Sequence, residues 1–156
     1  MNHETVRGLH REEGGLHRLK GDVLVPADPL SVLVVDDEQS IRGLIKAILE
    51  SNNYFVRVSS DGAEALKLLD SGARFDCVVT DIMMPNMTGI ELAMRLHEAR
   101  PTLPVVIISG RVDISADSLR NLGPMMNRPC LLAKPFAPAN LLAAVKLAIA
   151  KACTDS

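Results

Sequence analysis

Short apolar runs alternate along the chain with amphipathic stretches, from residue 31 to about residue 153. Apolar and β-branched residues dominate the runs 32–35, 75–80, 105–108 and 131–133, which is typical of strands buried on both faces. Residues 54–59 are also β-prone and predict one further strand. The pattern therefore predicts five strands.

The stretches between these runs carry the period and the end signals of helices. One face of the first predicted helix is formed by Ile41, Leu44, Ile45, Ile48 and Leu49. Capping-box spacing at 61–64 and 88–91 predicts where two more helices begin. A weaker helix is predicted over 115–122, and a last one from Pro138 to about residue 153. Alternating strands and helices predict an α/β fold with an open parallel sheet covered on both faces.

Residues 1–30 differ from the rest of the chain in composition and in hydrophobic pattern. They are rich in Gly, His, Arg and Glu, show no sustained apolar period, and close with Pro26 and Pro29. We therefore expect a flexible N-terminal tail over 1–30, followed by one domain over 31–153.

Composition narrows the classes of function. Hydrophobic residues make up 47% of the chain and aromatic residues 3%, so the core must be aliphatic. A net charge of -2 argues against a nucleic-acid partner held by bulk charge. No apolar run reaches the length of a membrane span. The cysteines match neither a zinc pattern nor a closed disulfide set, so we expect reduced thiols in the cytoplasm.

Polar side chains follow four of the predicted strands, at the point where each strand ends. Asp36 and Asp37 follow the first strand, Asp81 the third, Ser109 the fourth and Lys134 the fifth. The carboxyl ends of parallel strands meet at one edge of a sheet, where ligands bind in open α/β folds. We therefore expect these side chains to converge in one cleft.

Three carboxylates in one cleft repel each other unless a cation or a shared proton intervenes. Magnesium takes one or two protein carboxylates and keeps positions for water and phosphate oxygens. This chemistry makes Asp36 and Asp37 metal holders, and leaves Asp81 as a nucleophile that can form an acyl phosphate. Lys134 could then pair with developing negative charge, and Ser109 could donate to a phosphoryl oxygen. Taken singly, each residue also fits a helix cap, a turn or a solvated side chain.

Four sequence runs resemble the response-regulator receiver family. They are VLVVDDE at 32–38, TDIMMPNMTGIE at 80–91, ISG at 108–110 and KPF at 134–136. The resemblance extends over roughly residues 31–150 and is highly specific. It implies a flavodoxin-like, doubly wound five-stranded parallel sheet of order 2-1-3-4-5 with five helices.

The resemblance also implies roles for individual residues. Asp81 occupies the position of the phosphoacceptor, Ser109 that of the switch hydroxyl, and Lys134 that of the lysine that pairs with the phosphoryl group. The Mg²⁺ ligands it implies are Asp36, Asp37, Asp81 and the backbone carbonyl of Met83. One departure is Leu131, which stands where the family often has a switch aromatic residue.

The function that follows is phosphoryl acceptance on Asp81 from a sensor histidine kinase or a phosphotransfer protein. Because the chain ends soon after the last helix, we expect no output domain and signalling to a downstream effector protein by contact. Self-phosphorylation and autodephosphorylation would be its only reactions, so it is not expected to be an enzyme. One alternative is a scaffold that is never phosphorylated.

A metal-dependent phosphohydrolase with an aspartate nucleophile is a further alternative. That class usually has a second Asp two residues after the nucleophile, where this chain has Met83. A nucleotide-binding module is also conceivable, but no glycine-rich loop follows any predicted strand.

The last helix is apolar nearly all round, because only Asn140 and Lys146 are polar between residues 139 and 150. Such a helix is either buried or meets a partner. The partner would be a second copy in a homodimer, a kinase or a phosphotransfer protein, whereas its many alanines are also neutral on a surface.

Overall fold

A computed structural model of the chain describes residues 16–19, 23–26, 28–110 and 130–154. The strands in these ranges are β1 (Leu16–Leu19), β2 (Val23–Pro26), β3 (Ser31–Val35), β4 (Phe55–Ser59), β5 (Cys77–Asp81), β6 (Val105–Ser109) and β7 (Cys130–Ala133). The helices there are α1 (Gln39–Glu50), α2 (Gly62–Asp70), α3 (Gly89–Ala99) and α4 (Pro138–Thr154).

Strands β3 to β7 form one parallel sheet in the order β4-β3-β5-β6-β7. Counted from β3, this order is 2-1-3-4-5, which confirms the predicted flavodoxin-like topology. The predicted helix over 115–122 lies outside the described residues. The strands β1 and β2 pair with each other in a separate antiparallel sheet, which the residue pattern did not predict. The flexibility of residues 1–30 stays a prediction.

The central strands are buried on both faces because helices cover each side of the sheet. Successive residues of β3 point alternately to the two sides, so Val32 and Val34 belong to one core cluster while Leu33 and Val35 belong to the other. Helices α1 and α4 supply residues to the first cluster, and α2 and α3 supply residues to the second. This two-sided burial explains why the strands read as continuous apolar runs.

Helix α1 uses most of its predicted apolar face. Ile45 and Leu49 are buried, while Ile41 and Ile48 pack against the same core cluster from its margin. The prediction was wrong for Leu44, which is 51% exposed. Leu44 lies at the border of the apolar stripe, beyond the reach of the sheet.

Helix α4 turns its larger apolar residues inward, onto β5, β6 and β7. Leu141, Val145, Ala148 and Ile149 are buried in the first core cluster. Burial therefore explains much of its apolar composition, and Leu147 is its half-exposed large residue. Among the described helices, every one is too short or too polar to span a lipid bilayer.

Helix α2 begins where the sequence predicts a capping box, although Glu64 accepts from Ser60, one residue before the N-cap Asp61. The Asp61 carboxylate accepts a hydrogen bond from the Glu64 amide at 2.8 Å. In return, the Glu64 carboxylate accepts bonds from the amide (3.1 Å) and the hydroxyl (2.8 Å) of Ser60. These bonds lower the pKa of the Glu64 carboxyl. The Glu64 amide, which helix formation leaves without an intrahelical partner, is satisfied in this way.

Replacing Asp61 with alanine should lower the free energy of unfolding by about 0.5–2 kcal/mol, because the Glu64 amide loses its partner. Urea denaturation followed by circular dichroism would measure the change. Asp70→Ala is the matched control, since Asp70 is the last residue of the same helix. A negative side chain is unfavourable there, because the C-terminus of a helix carries a partial negative charge. That control should be neutral or slightly stabilising, and an equal loss in both variants would contradict the capping assignment.

Candidate functional site

Three carboxylates meet at the carboxyl edge of the sheet. Asp36 and Asp37 directly follow β3, and Asp81 is the last residue of β5. The two strands end together because they are parallel neighbours, with Val35 opposite Thr80. One carboxylate oxygen from each of the three residues lies within 4.8 Å of the others. The three carboxylates therefore lie together, as the sequence predicts.

Two residues of the carboxylate cluster are buried in the protein, and the third is exposed to solvent. The residues Asp36 and Asp81 are buried, with 1% and 7% of their surfaces exposed, whereas Asp37 is exposed. Burying charge in this way is costly unless a cation or hydrogen bonds compensate. The compensation comes from a lysine and from two backbone amides.

Lys134 follows β7, the edge strand of the sheet, and its side chain extends to the carboxylate cluster. Its ammonium nitrogen Nζ lies 3.4 Å from Oδ2 of Asp81 and 3.6 Å from Oδ2 of Asp36. Its own amide donates a 2.7 Å hydrogen bond to the carbonyl oxygen of Ser109. The lysine is thus tied to the end of β6, and Ser109 itself is buried at this edge. The four strand ends meet as the sequence predicts.

The two oxygen atoms of the Asp36 carboxylate differ in their hydrogen bonding. Its Oδ1 accepts a 2.9 Å hydrogen bond from the Glu38 amide, while its buried Oδ2 has no hydrogen-bond partner within the described residues. Burial raises the pKa of the Asp36 carboxyl. The Glu38 bond and the Lys134 charge act to lower that pKa, and the charges of Asp81 and Asp37 act to raise it.

The Asp81 side chain is oriented by its immediate neighbours. Its Oδ1 accepts a 2.9 Å hydrogen bond from the Ile82 amide, and its Oδ2 faces Lys134. The buried Thr80 hydroxyl donates to the carbonyl oxygen of Asp81 at 2.9 Å. The carboxylate is therefore held by a backbone hydrogen bond at Oδ1 and by the charge of Lys134 at Oδ2.

Helix α3 begins against the same strand end. The Gly89 amide donates a 2.9 Å hydrogen bond to the carbonyl oxygen of Ile82. A Cβ atom at Gly89 would lie 1.9 Å from the carbonyl oxygen of Asp81, which no real contact allows. Only glycine lets the helix approach this closely.

Two residues at the site were not predicted as functional from the sequence. Arg42 donates from Nη1 to the carbonyl oxygen of Asp36 at 2.7 Å, and Thr80 bonds the carbonyl oxygen of Asp81. Arg42 lies on α1 and Asp36 in the loop after β3, so no single helical or strand period relates the two residues. Thr80 stands next to Asp81, but its residue type alone fits an ordinary buried strand position.

The donor set suits a hard divalent cation. Carboxylate oxygens are the ligands that Mg²⁺ prefers, and the buried Oδ2 of Asp36 is a polar atom in need of a partner. Met83 lies in the loop after β5 with its side chain 58% exposed, and the ligand role of its carbonyl stays a prediction. The same holds for the switch role of Ser109.

The chain is similar to known proteins over most of its length. A family model described as the response regulator receiver domain matches residues 32–146. Response regulator MprA from Mycolicibacterium vanbaalenii is 35% identical over 127 residues, 81% of this chain and 53% of the relative. The chain spans about half the length of the curated relatives it matches.

Solved structures agree with the family model. A response regulator receiver domain protein (CheY-like) from Methanospirillum hungatei has a TM-score of 0.72 at 26% identity, over 82% of this chain and 99% of that one. A response regulator receiver protein from Sinorhizobium medicae has a TM-score of 0.71 at 31% identity, over 80% and 98%.

Replacing Gly89 with alanine should destabilise the protein by about 1–3 kcal/mol, because the added methyl group forces α3 away from the end of β5. Gly43→Ala is the matched control, since a methyl group added at this position of α1 would have nothing within 4 Å. Helix propensity should make that variant more stable by about 0.5–1 kcal/mol. Urea denaturation compares the two, and equal effects would refute the close approach at Gly89.

Magnesium should stabilise the protein, and Asp37→Asn should abolish most of that effect. A ligand at about 100 times its Kd adds about 2.7 kcal/mol to the free energy of unfolding. Without metal, Asp37→Asn should be the more stable protein, because it removes one of three clustered negative charges. Differential scanning calorimetry in EDTA and in Mg²⁺ tests both statements, and an equal response to Mg²⁺ in both proteins would contradict the metal assignment.

Proposed function

The chain belongs to the response regulator receiver family, and on that premise we propose that Asp81 accepts a phosphoryl group in a Mg²⁺-dependent reaction. The observation that carries the proposal is the Lys134 ammonium, placed 3.4 Å from the Asp81 carboxylate and 3.6 Å from the Asp36 carboxylate. A cation at this point serves a site that must receive further negative charge.

The proposed reaction is a direct transfer. A carboxylate oxygen of Asp81 forms a bond to phosphorus while the bond from phosphorus to the donor breaks, and the electron pair leaves with the donor. With a phosphohistidine donor the leaving group is imidazole, and the product on the chain is an acyl phosphate. The Ile82 amide keeps the carboxylate oriented by its bond to Oδ1 during the approach.

We assign Mg²⁺ to Asp36, Asp37, Asp81 and the backbone carbonyl of Met83. When bound, the ion neutralises charge on the phosphoryl oxygens and on the clustered carboxylates. Without its charge the three carboxylates would repel an anionic donor.

Signalling would follow from the change in charge at Asp81. A phosphoryl group carries more negative charge than the carboxylate it replaces, so it draws Lys134 and the Ser109 hydroxyl toward it. These two residues are joined by the bond from the Lys134 amide to the Ser109 carbonyl. The ends of β6 and β7 would therefore move together and alter the adjoining surface.

Receiver domains of this family act with histidine kinases and effector proteins, and the family is not one of ordinary turnover enzymes. For this chain we propose a histidine kinase or phosphotransfer protein as donor, an effector protein as recipient of the signal, and a cytoplasmic setting. A homodimer through α4 stays a prediction, supported by the half-exposed Leu147. The absence of a nucleic-acid partner also stays a prediction.

The alternatives fit the site less well. A phosphohydrolase of the aspartate-nucleophile class usually has a second carboxylate two residues after the nucleophile, where this chain has Met83. A scaffold that is never phosphorylated would use Lys134 to compensate the buried Asp36 and Asp81, but it has no need of the exposed carboxylate of Asp37 beside them. Neither alternative accounts for the whole arrangement.

Intact mass spectrometry tests the proposal. After incubation with Mg²⁺ and acetyl phosphate, the wild-type chain should gain one phosphoryl group, whereas Asp81→Asn should gain none, because it lacks the nucleophile. EDTA should also prevent the gain. The exposed Asp70, replaced in Asp70→Asn, is a control outside the site and should behave as wild type. An unmodified wild-type chain, or a modified Asp81→Asn variant, would overturn the proposal.

A further inference from the structure

We infer that Arg42 is a positioning residue for the metal site: its guanidinium fixes the peptide group between Asp36 and Asp37 and thereby directs the Asp37 carboxylate toward its two neighbours. The inference rests on the proposed magnesium site but concerns a residue that the family resemblance does not assign. It starts from one short contact, the 2.7 Å hydrogen bond from Nη1 of Arg42 to the carbonyl oxygen of Asp36.

The geometry of α1 explains how this contact forms. Side chains of a helix lean toward its N-terminus, so a long side chain near the start of a helix can reach back past the first helical residue. Arg42 does so, and its guanidinium contacts the Asp36–Asp37 peptide group in the loop that follows β3. The half-buried position limits competition from water, which favours a persistent charge-assisted bond.

The start of α1 lacks the side-chain capping bond that commonly restrains the first turn of a helix. The N-cap residue Glu38 makes no side-chain capping bond, and the first turn contains no acidic residue. The loop is instead held by Asp36, whose Oδ1 accepts from the Glu38 amide and whose carbonyl oxygen accepts from Arg42. The two hydrogen bonds thus restrain the residue before Asp37 and the residue after it.

Asp37 therefore takes its direction from the backbone. Its side chain is exposed, so packing does little to orient it, yet one of its oxygens lies within 4.8 Å of those of Asp36 and Asp81. Rotation of the Asp36–Asp37 peptide would swing this carboxylate away from the other two. Like-charge repulsion favours that rotation before a cation binds, and the Arg42 bond opposes it.

The planar guanidinium suits the task better than an ammonium group. It offers several donors in a fixed plane and is less strongly hydrated, so it can grip a carbonyl oxygen and hold its orientation. A lysine at position 42 would keep the charge and lose this grip. The two properties can thus be separated by substitution.

Isothermal titration of Mg²⁺ into the full chain tests the inference without any phosphoryl donor. Arg42→Gln should weaken Mg²⁺ binding by about 10-fold, the lower end of the range for residues that orient metal ligands. Arg42→Lys should also weaken binding, although less, since it keeps the charge. Lys46→Gln is the matched control: it removes a positive charge one turn further along α1, where Lys46 pairs with Glu50 at 3.9 Å. That control should bind Mg²⁺ as wild type does.

The outcomes separate the inference from the proposed function. Weaker binding in both Arg42 variants, with unchanged Lys46→Gln, supports the positioning role even if acetyl phosphate fails to modify the wild-type chain, which would overturn the proposed function alone. Reduced stability with unchanged Mg²⁺ affinity would make Arg42 a purely structural residue and overturn the inference, as would a wild-type chain that binds no Mg²⁺. Circular dichroism checks folding, and if Arg42→Gln fails to fold, Arg42→Lys decides the question.

Discussion

The parallel register of the five-stranded sheet is the constraint on which the candidate site depends. Because β3 and β5 are neighbours and run the same way, Asp36 and Asp81 emerge from the sheet side by side. The β5, β6 and β7 pairings continue the same direction, so Lys134 comes to the same edge from the outermost strand. An antiparallel partner anywhere in this series would send one of these side chains to the opposite edge.

That edge carries an electrostatic imbalance. Burial and mutual repulsion disfavour the charged form of Asp36, and one amide together with one lysine compensates only in part. The buried Oδ2 atom of Asp36 lacks a hydrogen bond within the described residues. A site in this condition favours a divalent cation, and it responds to added negative charge, since the Lys134 ammonium lies close to both buried carboxylates.

Close packing gives the site a rigid frame. Gly89 brings α3 against the Asp81 peptide, while Thr80 and Arg42 bind the carbonyl oxygens of Asp81 and Asp36. The backbone is thus restrained at both acidic strand ends, and the exposed Asp37 inherits its direction from that restraint. Hydrogen bonds of this kind, made by residues around a site, help to hold its binding groups in a productive geometry.

The sequence by itself determined the described strands and helices of the parallel sheet domain and the chemistry at their ends. The apolar runs at β3, β5 and β6, the capping residues Asp61 and Thr88, and the acidic residues at the strand ends all depend on neighbours close in the chain, so local patterns reveal them. Tertiary structure alone decided that Leu44 is exposed and that Arg42 holds Asp36. These outcomes depend on which surfaces meet after folding, and no period of the sequence encodes a contact between a helix side chain and a strand-end carbonyl six residues away.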